Sequence, residues 1–158
     1  EITYGDWSSD VCSSDLPEDY NARWNQERNV NHVLAELHAD ALAALLQRHP
    51  EAVAIVDQFG HESLIANRLR TKLGHSPRKL IQVPRAEAHP VVGAASIVAR
   101  VHFVEGFQRC EESSGTDLHK GGGAPVDVAA ARAYRIGGAA LMAKIAKLHF
   151  KNTQKIRG

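Results

Sequence analysis

The chain alternates between two hydrophobic periods. From Asn29 onward, Val30, Val33, Leu34, Leu37, Ala41, Leu42, Leu45 and Leu46 form one apolar stripe at helical spacing. Asn29 suits the N-cap, and the helix is expected to stop near His49 because Pro50 disfavours helical backbone at the residue before it. A continuous apolar run, Ala52-Val-Ala-Ile-Val56, then predicts a buried strand that ends in Asp57-Gln58-Phe59-Gly60. From His61 to Leu73 the helical period returns through Leu64, Ile65, Leu69 and Leu73. Lys79-Leu-Ile-Gln-Val83 predicts a second strand, leading to Pro84-Arg85-Ala86-Glu87-Ala88-His89-Pro90. Strand, helix and strand in so short a span make a βαβ unit, whose strands run parallel.

Pro90 fits the first turn of a further helix. That helix, Val91 to Glu112, carries small residues (Gly93, Ala94, Ala95, Ser96, Ala99) that would let it approach a sheet. Ile97, Val98, Val101, Phe103, Val104 and Phe107 are expected to supply its bulk, and Gly115 its stop. Thr116 to Pro125 is a loop holding Lys120-Gly-Gly-Gly123. Helices of about Val126–Ile136 and Ala139–His149 should meet at Gly137-Gly138. Before all this, Pro17 to Arg28 is polar, with Tyr20 and Trp24 as anchors onto the domain body. The fold class is α/β, with a helical C-terminal part.

Composition narrows the setting. At 158 residues the chain suits one domain, and a net charge of +1 gives no global attraction to nucleic acid, so any basic footprint must be local. Cys12 and Cys110 lack the spacing of a zinc site or disulfide framework, which points to a reducing, cytoplasmic setting. No apolar run is expected to reach the roughly 18 residues of a membrane span, and no signal peptide is visible. No protein partner is implied.

Parallel strands finish at the same sheet edge, where ligands of open α/β sheets bind. Asp57 and Glu87 should therefore sit side by side there, and two carboxylates at that edge suit a cation. Either residue alone has a simpler use, since acidic side chains favour helix N-termini. His61-Glu62 is not a zinc-protease helix, because Ile65 stands where the second histidine would be. Ser96 has no base near it in sequence and reads as a packing residue. Lys120-Gly-Gly-Gly123 lacks the setting of a P-loop and is either a flexible connection or a substrate-side loop. From Val128 to the end there is no acidic residue, but Arg132, Arg135, Lys144, Lys147, Lys151, Lys155 and Arg157 are present. They form either a solvated face or a phosphate track.

Three blocks, Val56-Asp57-Gln58-Phe59, Arg85-Ala86-Glu87-Ala88-His89 and Val91-Val-Gly-Ala-Ala-Ser96-Ile-Val-Ala-Arg100, resemble type 2 ribonuclease H. Glu87 and the tail Lys147-Leu-His-Phe-Lys-Asn-Thr153 look more like ribonuclease HIII than HII. The resemblance implies a ribonuclease H-like fold and metal-dependent endonucleolytic cleavage of the RNA strand of RNA–DNA hybrids, with Mg²⁺ or Mn²⁺ as cofactor. That family uses an adjacent Asp-Glu pair, then an Asp, then an Asp or Glu. Asp57 matches the third ligand and Glu87 the fourth. Arg85, His89, Lys120 and Lys147 are the implied substrate-side residues, although His89 equally suits a hydrogen bond at the helix start. The first pair and its 2′-hydroxyl-sensing glycine loop have no counterpart here, so residues 17–158 are expected to be a partial catalytic domain, truncated at the N-terminus and inactive by itself. A non-catalytic nucleic-acid-binding α/β domain is the alternative; it would need the basic tail but not the acidic pair.

Glu1 to Leu16 do not read like the rest. Asp6-Trp-Ser-Ser-Asp-Val-Cys-Ser-Ser-Asp-Leu16 back-translates to a common sequencing-library adapter, and Asp6, Asp10 and Asp15 lack any family context. Residues 1–16 are expected to be such an artefact, a disordered Ser/Asp-rich leader being the competing reading. Amplifying the locus from source DNA should return a different sequence upstream of Pro17; a natural gene encoding the peptide in frame would refute the artefact.

Overall fold

In a computed structural model, residues 17–156 are described, and the expectations for Glu1–Leu16 lie outside them. The chain forms helix α1 (Pro17–Glu27), helix α2 (Val30–Arg48), strand β1 (Val53–Asp57), helix α3 (Ser63–Leu73) and strand β2 (Lys79–Val83). A 3₁₀ turn (Ala86–Ala88), helix α4 (Pro90–Ser114), helix α5 (Ala124–Ile145) and helix α6 (Lys151–Ile156) follow. These residues fall into two compact units, one of residues 28–103 and one of residues 17–27 with 104–156.

The first unit contains the expected βαβ arrangement. β1 and β2 pair in parallel, in a register that sets Val53 against Lys79 and Asp57 against Val83. α2 starts where Asn29 Oδ1 accepts from the backbone N–H of Asn31 at 2.9 Å. It ends at Arg48, one residue before His49, as the proline rule requires. α3 starts at Ser63, two residues after the expected start at His61, and stops at Gly74 with φ 76°.

The core lies on one face of the sheet. Ala39, Ala43 and Leu46 of α2 and Leu69 of α3 enclose Ala54, while Ala35 and Ile65 enclose Val56. Glu36 ties the two helices together by pairing with Arg68 at 3.1 Å and with Lys72, which also reaches Asp40 at 2.6 Å. Leu45 departs from the expected stripe, being 50% exposed. The buried face of the helix runs through Ala39, Ala43 and Leu46, and Leu45 falls to one side of it.

Val53, Ile55, Ile81 and Val83 share the opposite sheet face, because strand side chains alternate. Val53 and Val83 are exposed. The same openness corrects the reading of α4. Its stripe of small residues buries Ala99, but Ile97 (69% exposed), Val98 (55%) and Val101 (51%) point away from the packed side. A helix that is apolar all round needs neighbours on more than one side. The expectation that no membrane-length apolar run exists also needs amendment. α4 has 25 residues and an 18-residue window of mean hydropathy 1.2, so by length and composition it could cross a bilayer. Its small and aliphatic residues produce that value together.

The second unit includes a helix that the polar composition did not announce. α1 buries Tyr20 and Asn21. Asn21 Nδ2 donates to the carbonyls of Ala143 at 3.1 Å and Ala146 at 2.9 Å, and its Oδ1 accepts from Leu148 N–H at 2.9 Å. Ala143 and Ala146 lie at the end of α5, where carbonyls lack helical partners, so one amide satisfies the orphaned helix end. Trp24 stacks on His149 with ring centroids 4.0 Å apart, and His149 meets Phe150 at the same separation. The two helices expected around Gly137-Gly138 are joined by a kink at Gly138 (φ 59°, ψ −153°), a backbone region essentially restricted to glycine. Gly115 (φ 64°) follows the last residue of α4.

Leu69→Ala, at a fully buried site, should cost about 2–5 kcal/mol in urea unfolding, whereas Leu45→Ala should cost well under about 1 kcal/mol. Asn21→Ala leaves two carbonyls and an N–H without their partner and should destabilise the second unit by about 2–4 kcal/mol. Hydrogen exchange at Leu148 should accelerate with it.

Candidate metal centre

The site grows out of the carboxyl ends of β1 and β2. Asp57 is the last residue of β1, and the next residue extends the ladder, Gln58 N–H donating to Val83 O at 3.1 Å. Beyond β2 the chain passes Pro84 and turns back at Arg85, whose φ of 58° is left-handed. It enters the 3₁₀ turn at Ala86, which is 2% exposed and anchors the turn in the unit. From there Ala86 N–H donates to Asp57 Oδ1 at 3.0 Å. This bond draws the segment carrying Glu87 to the carboxylate of Asp57. Asp57 is thus not the cap of α3: Glu62 occupies that position without a side-chain bond.

α4 begins close by. Gly93 sits so near the turn that a Cβ there would lie 3.3 Å from Glu87 O, and its N–H donates to His89 O at 2.9 Å. His89 Nδ1 accepts from Val91 N–H at 3.3 Å and so satisfies a free donor at the helix start. Glu87, Arg85 and His89 are exposed, and Asp57 is half-buried. No salt bridge to Asp57 or Glu87 is found among the described residues. Two hard carboxylate donors without a cationic partner fit a hard divalent ion. Among the described residues no group of three or more His, Cys, Asp or Glu side chains is placed to hold a metal, so the acidic pair stands without further side-chain ligands of these types.

Arg85 and His89 therefore share the edge with Asp57 and Glu87, while the other two implied substrate residues belong to the second unit. Lys120 lies over the Phe107 ring at 4.9 Å, and Lys147 over the Tyr20 ring at 4.0 Å. Both cations face aromatic rings within their own unit.

His38 was missed. It stacks on Phe59 with centroids 5.2 Å apart, and its Nε2 is buried with no hydrogen-bond partner among the described residues. Burial lowers its pKa to about 4, against the opposing pull of the Asp57 charge, which places the imidazole within electrostatic reach of the acidic edge. A signal existed: position 38 lies four residues from both Leu34 and Leu42, on the stripe that faces the sheet.

A parallel βαβ unit with carboxylates at its outgoing edge is an α/β arrangement, and comparison with solved structures makes it ribonuclease H-like. The chain superposes on the crystal structure of Bst-RNase HIII in complex with Mn²⁺ with a TM-score of 0.80 and 32% identity, over 90% of this chain and 47% of that one. Residues 12–153 match the ribonuclease HII family, and the chain belongs to that family. The match begins at Cys12, within residues 1–16. Relatives similar to it are named ribonuclease HIII. That of Chlamydia pneumoniae is 39% identical over 152 residues (92% of this chain, 50% of the relative). That of Geobacillus kaustophilus is 41% identical over 126 residues (79% and 39%). The chain spans about half the length of the relatives it matches, or less. Membership also accounts for α4, which lies within the matched span as part of the family's fold.

The histidine gives a pH dependence of known sign. In the folded chain His38 stays neutral down to about pH 4, whereas the unfolded chain takes up the proton near 6.5. Stability should therefore fall as pH drops from about 6.5 to about 4, and His38→Phe should flatten that limb. Urea midpoints measured at several pH values across this window check it.

Proposed function

We propose that this chain carries the third and fourth acidic ligands of a ribonuclease H metal site, Asp57 and Glu87. The whole protein would cut the RNA strand of RNA–DNA hybrids in the cytoplasm. The observation that carries this is the bond from Ala86 N–H to Asp57 Oδ1, which brings two uncompensated acidic residues to one sheet edge in a chain of the ribonuclease HII family.

The roles follow from the geometry. Asp57 has one oxygen engaged by a backbone donor, which fixes the carboxylate and leaves the other oxygen for a cation. Glu87 sits on a turn whose neighbour Ala86 is buried, so its exposed side chain extends from a fixed base. Repulsion between the two carboxylates is relieved by a bound cation, which sets the affinity of the pair for Mg²⁺ or Mn²⁺. Bound ions of this kind would activate the attacking water and stabilise charge on the leaving 3′ oxygen. Arg85 and His89 supply donors for substrate phosphates beside the carboxylates, and Lys120 and Lys147 serve the hybrid from the second unit. The 2′-hydroxyl distinguishes the RNA strand. Two of the family's four carboxylates suffice for weak binding of one ion but not for holding two in reacting geometry.

Titration with Mn²⁺ should broaden NMR signals around Asp57 and Glu87 with weak affinity. Broadening that survives the double change Asp57→Asn, Glu87→Gln would put the ion elsewhere. The 158-residue chain alone should not cleave hybrid. Replacing Glu1–Leu16 with the N-terminal half of a ribonuclease HIII should give Mg²⁺- or Mn²⁺-dependent cleavage, lost with either Asp57→Asn or Glu87→Gln. Well-folded fusions from several donors that all stay inactive would refute the ligand assignment.

A further inference from the structure

The second unit holds a cleft that the acidic edge does not use. It lies between α5 and α6, has a volume of about 510 Å³, and is lined by Asp127, Ala131, Tyr134, Arg135, Lys155 and Ile156. Its charges are unequal. Asp127 is already engaged, receiving a hydrogen bond from Asn152 Nδ2 and facing Lys155 Nζ at 3.4 Å. Those two partners hold its carboxyl below the usual range, so it remains ionised and satisfied. Arg135 is exposed and forms no ion pair among the described residues. One carboxylate against two cations leaves the cleft with a net charge of +1, and Tyr134 offers an aromatic surface beside them.

From this we infer that the cleft between α5 and α6 is a nucleic-acid subsite that takes one nucleotide of a strand. Arg135 and Lys155 contact its phosphodiester, and Tyr134 packs against its base or sugar. Charge favours this ligand. A phosphodiester carries a single negative charge and matches the excess of one cation, and a guanidinium presents paired donors to phosphate oxygens. Ring stacking tolerates any base, so the subsite contributes affinity and register without reading sequence. The setting agrees, because no acidic residue occurs from Val128 to Gly158, and Asp127, the last one before it, is neutralised within the cleft. Lys155 exchanges part of its contact with Asp127 for the phosphate, while Asn152 continues to hold the carboxylate.

The inference rests on the reading that the chain acts on nucleic acid, but not on Asp57 and Glu87 holding a metal. Its test therefore runs in EDTA, on the whole chain, with fluorescence anisotropy of a labelled RNA–DNA hybrid over a series of salt concentrations. Arg135→Ala should weaken binding and reduce the slope of log affinity against log salt by about one, as loss of a single phosphate contact does. Arg48→Ala, an exposed arginine of the first unit, should leave the slope unchanged. Tyr134→Ala should weaken binding about five-fold or more, and Tyr134→Phe should retain it. Failure of the metal site is read separately, by Mn²⁺ broadening. An Arg135→Ala variant with unchanged melting, affinity and salt slope would overturn the subsite. Competition by free adenosine monophosphate as effective as by the strand would overturn its assignment to a polymer and leave a mononucleotide pocket.

Discussion

One hydrogen bond organises the acidic edge. Ala86 N–H could have paired with water at the end of β2, as backbone donors beyond a strand commonly do. Instead it meets the carboxylate of Asp57 at the end of β1. A bond to an ionised acceptor is stronger than a neutral one, and here it joins two segments 29 residues apart in sequence. It fixes the rotamer of Asp57, holds the left-handed turn at Arg85 closed, and sets where Glu87 leaves the backbone. The tightness around Gly93 follows, since the first turn of α4 must fit against the same bend. Two acidic residues become one edge because a main-chain donor lies between them.

That edge was legible in the sequence because it depends on short-range rules. An apolar run ending in Asp57, a second ending before Glu87, and a helical period between them define a parallel pair with little freedom. Caps and stops were equally local, as Asn29 and Gly74 illustrate. What escaped needed distant partners. α1 looks too polar to be a packed helix until Asn21 is seen to bond three backbone groups more than 120 residues away. His38 looked like one histidine among nine because its burial depends on Phe59 and the sheet. The apolar bulk of α4 was read as core, since composition records how much surface needs cover but not whether a cover is at hand.

The basic C-terminal stretch illustrates a different limit. Its seven cations looked equivalent in sequence, either all solvated or all on one track. In the fold three of them separate by neighbour. Lys147 lies over Tyr20, Lys155 leans on Asp127, and Arg135 keeps its charge uncommitted beside a cleft. A charge already engaged with an aromatic face or carboxylate gives up part of that contact to meet a phosphate, whereas one without such a partner does not. Position relative to partners, rather than the count of cations, decides which part of the stretch can bind.

The Asn21 bonds also bear on the order in which the chain can fold. Residue 21 leaves the ribosome more than a hundred residues before its acceptors and donor at Ala143, Ala146 and Leu148. Residues 28–103, whose own helices and strands pair locally, can collapse in the interval. The entropy of closing the long segment between Asn21 and Ala143 grows only slowly with the residues it contains. The second unit, built from two separated segments, then forms last, and its α1 helix must wait with Tyr20 and Trp24 exposed until the final turns of α5 arrive.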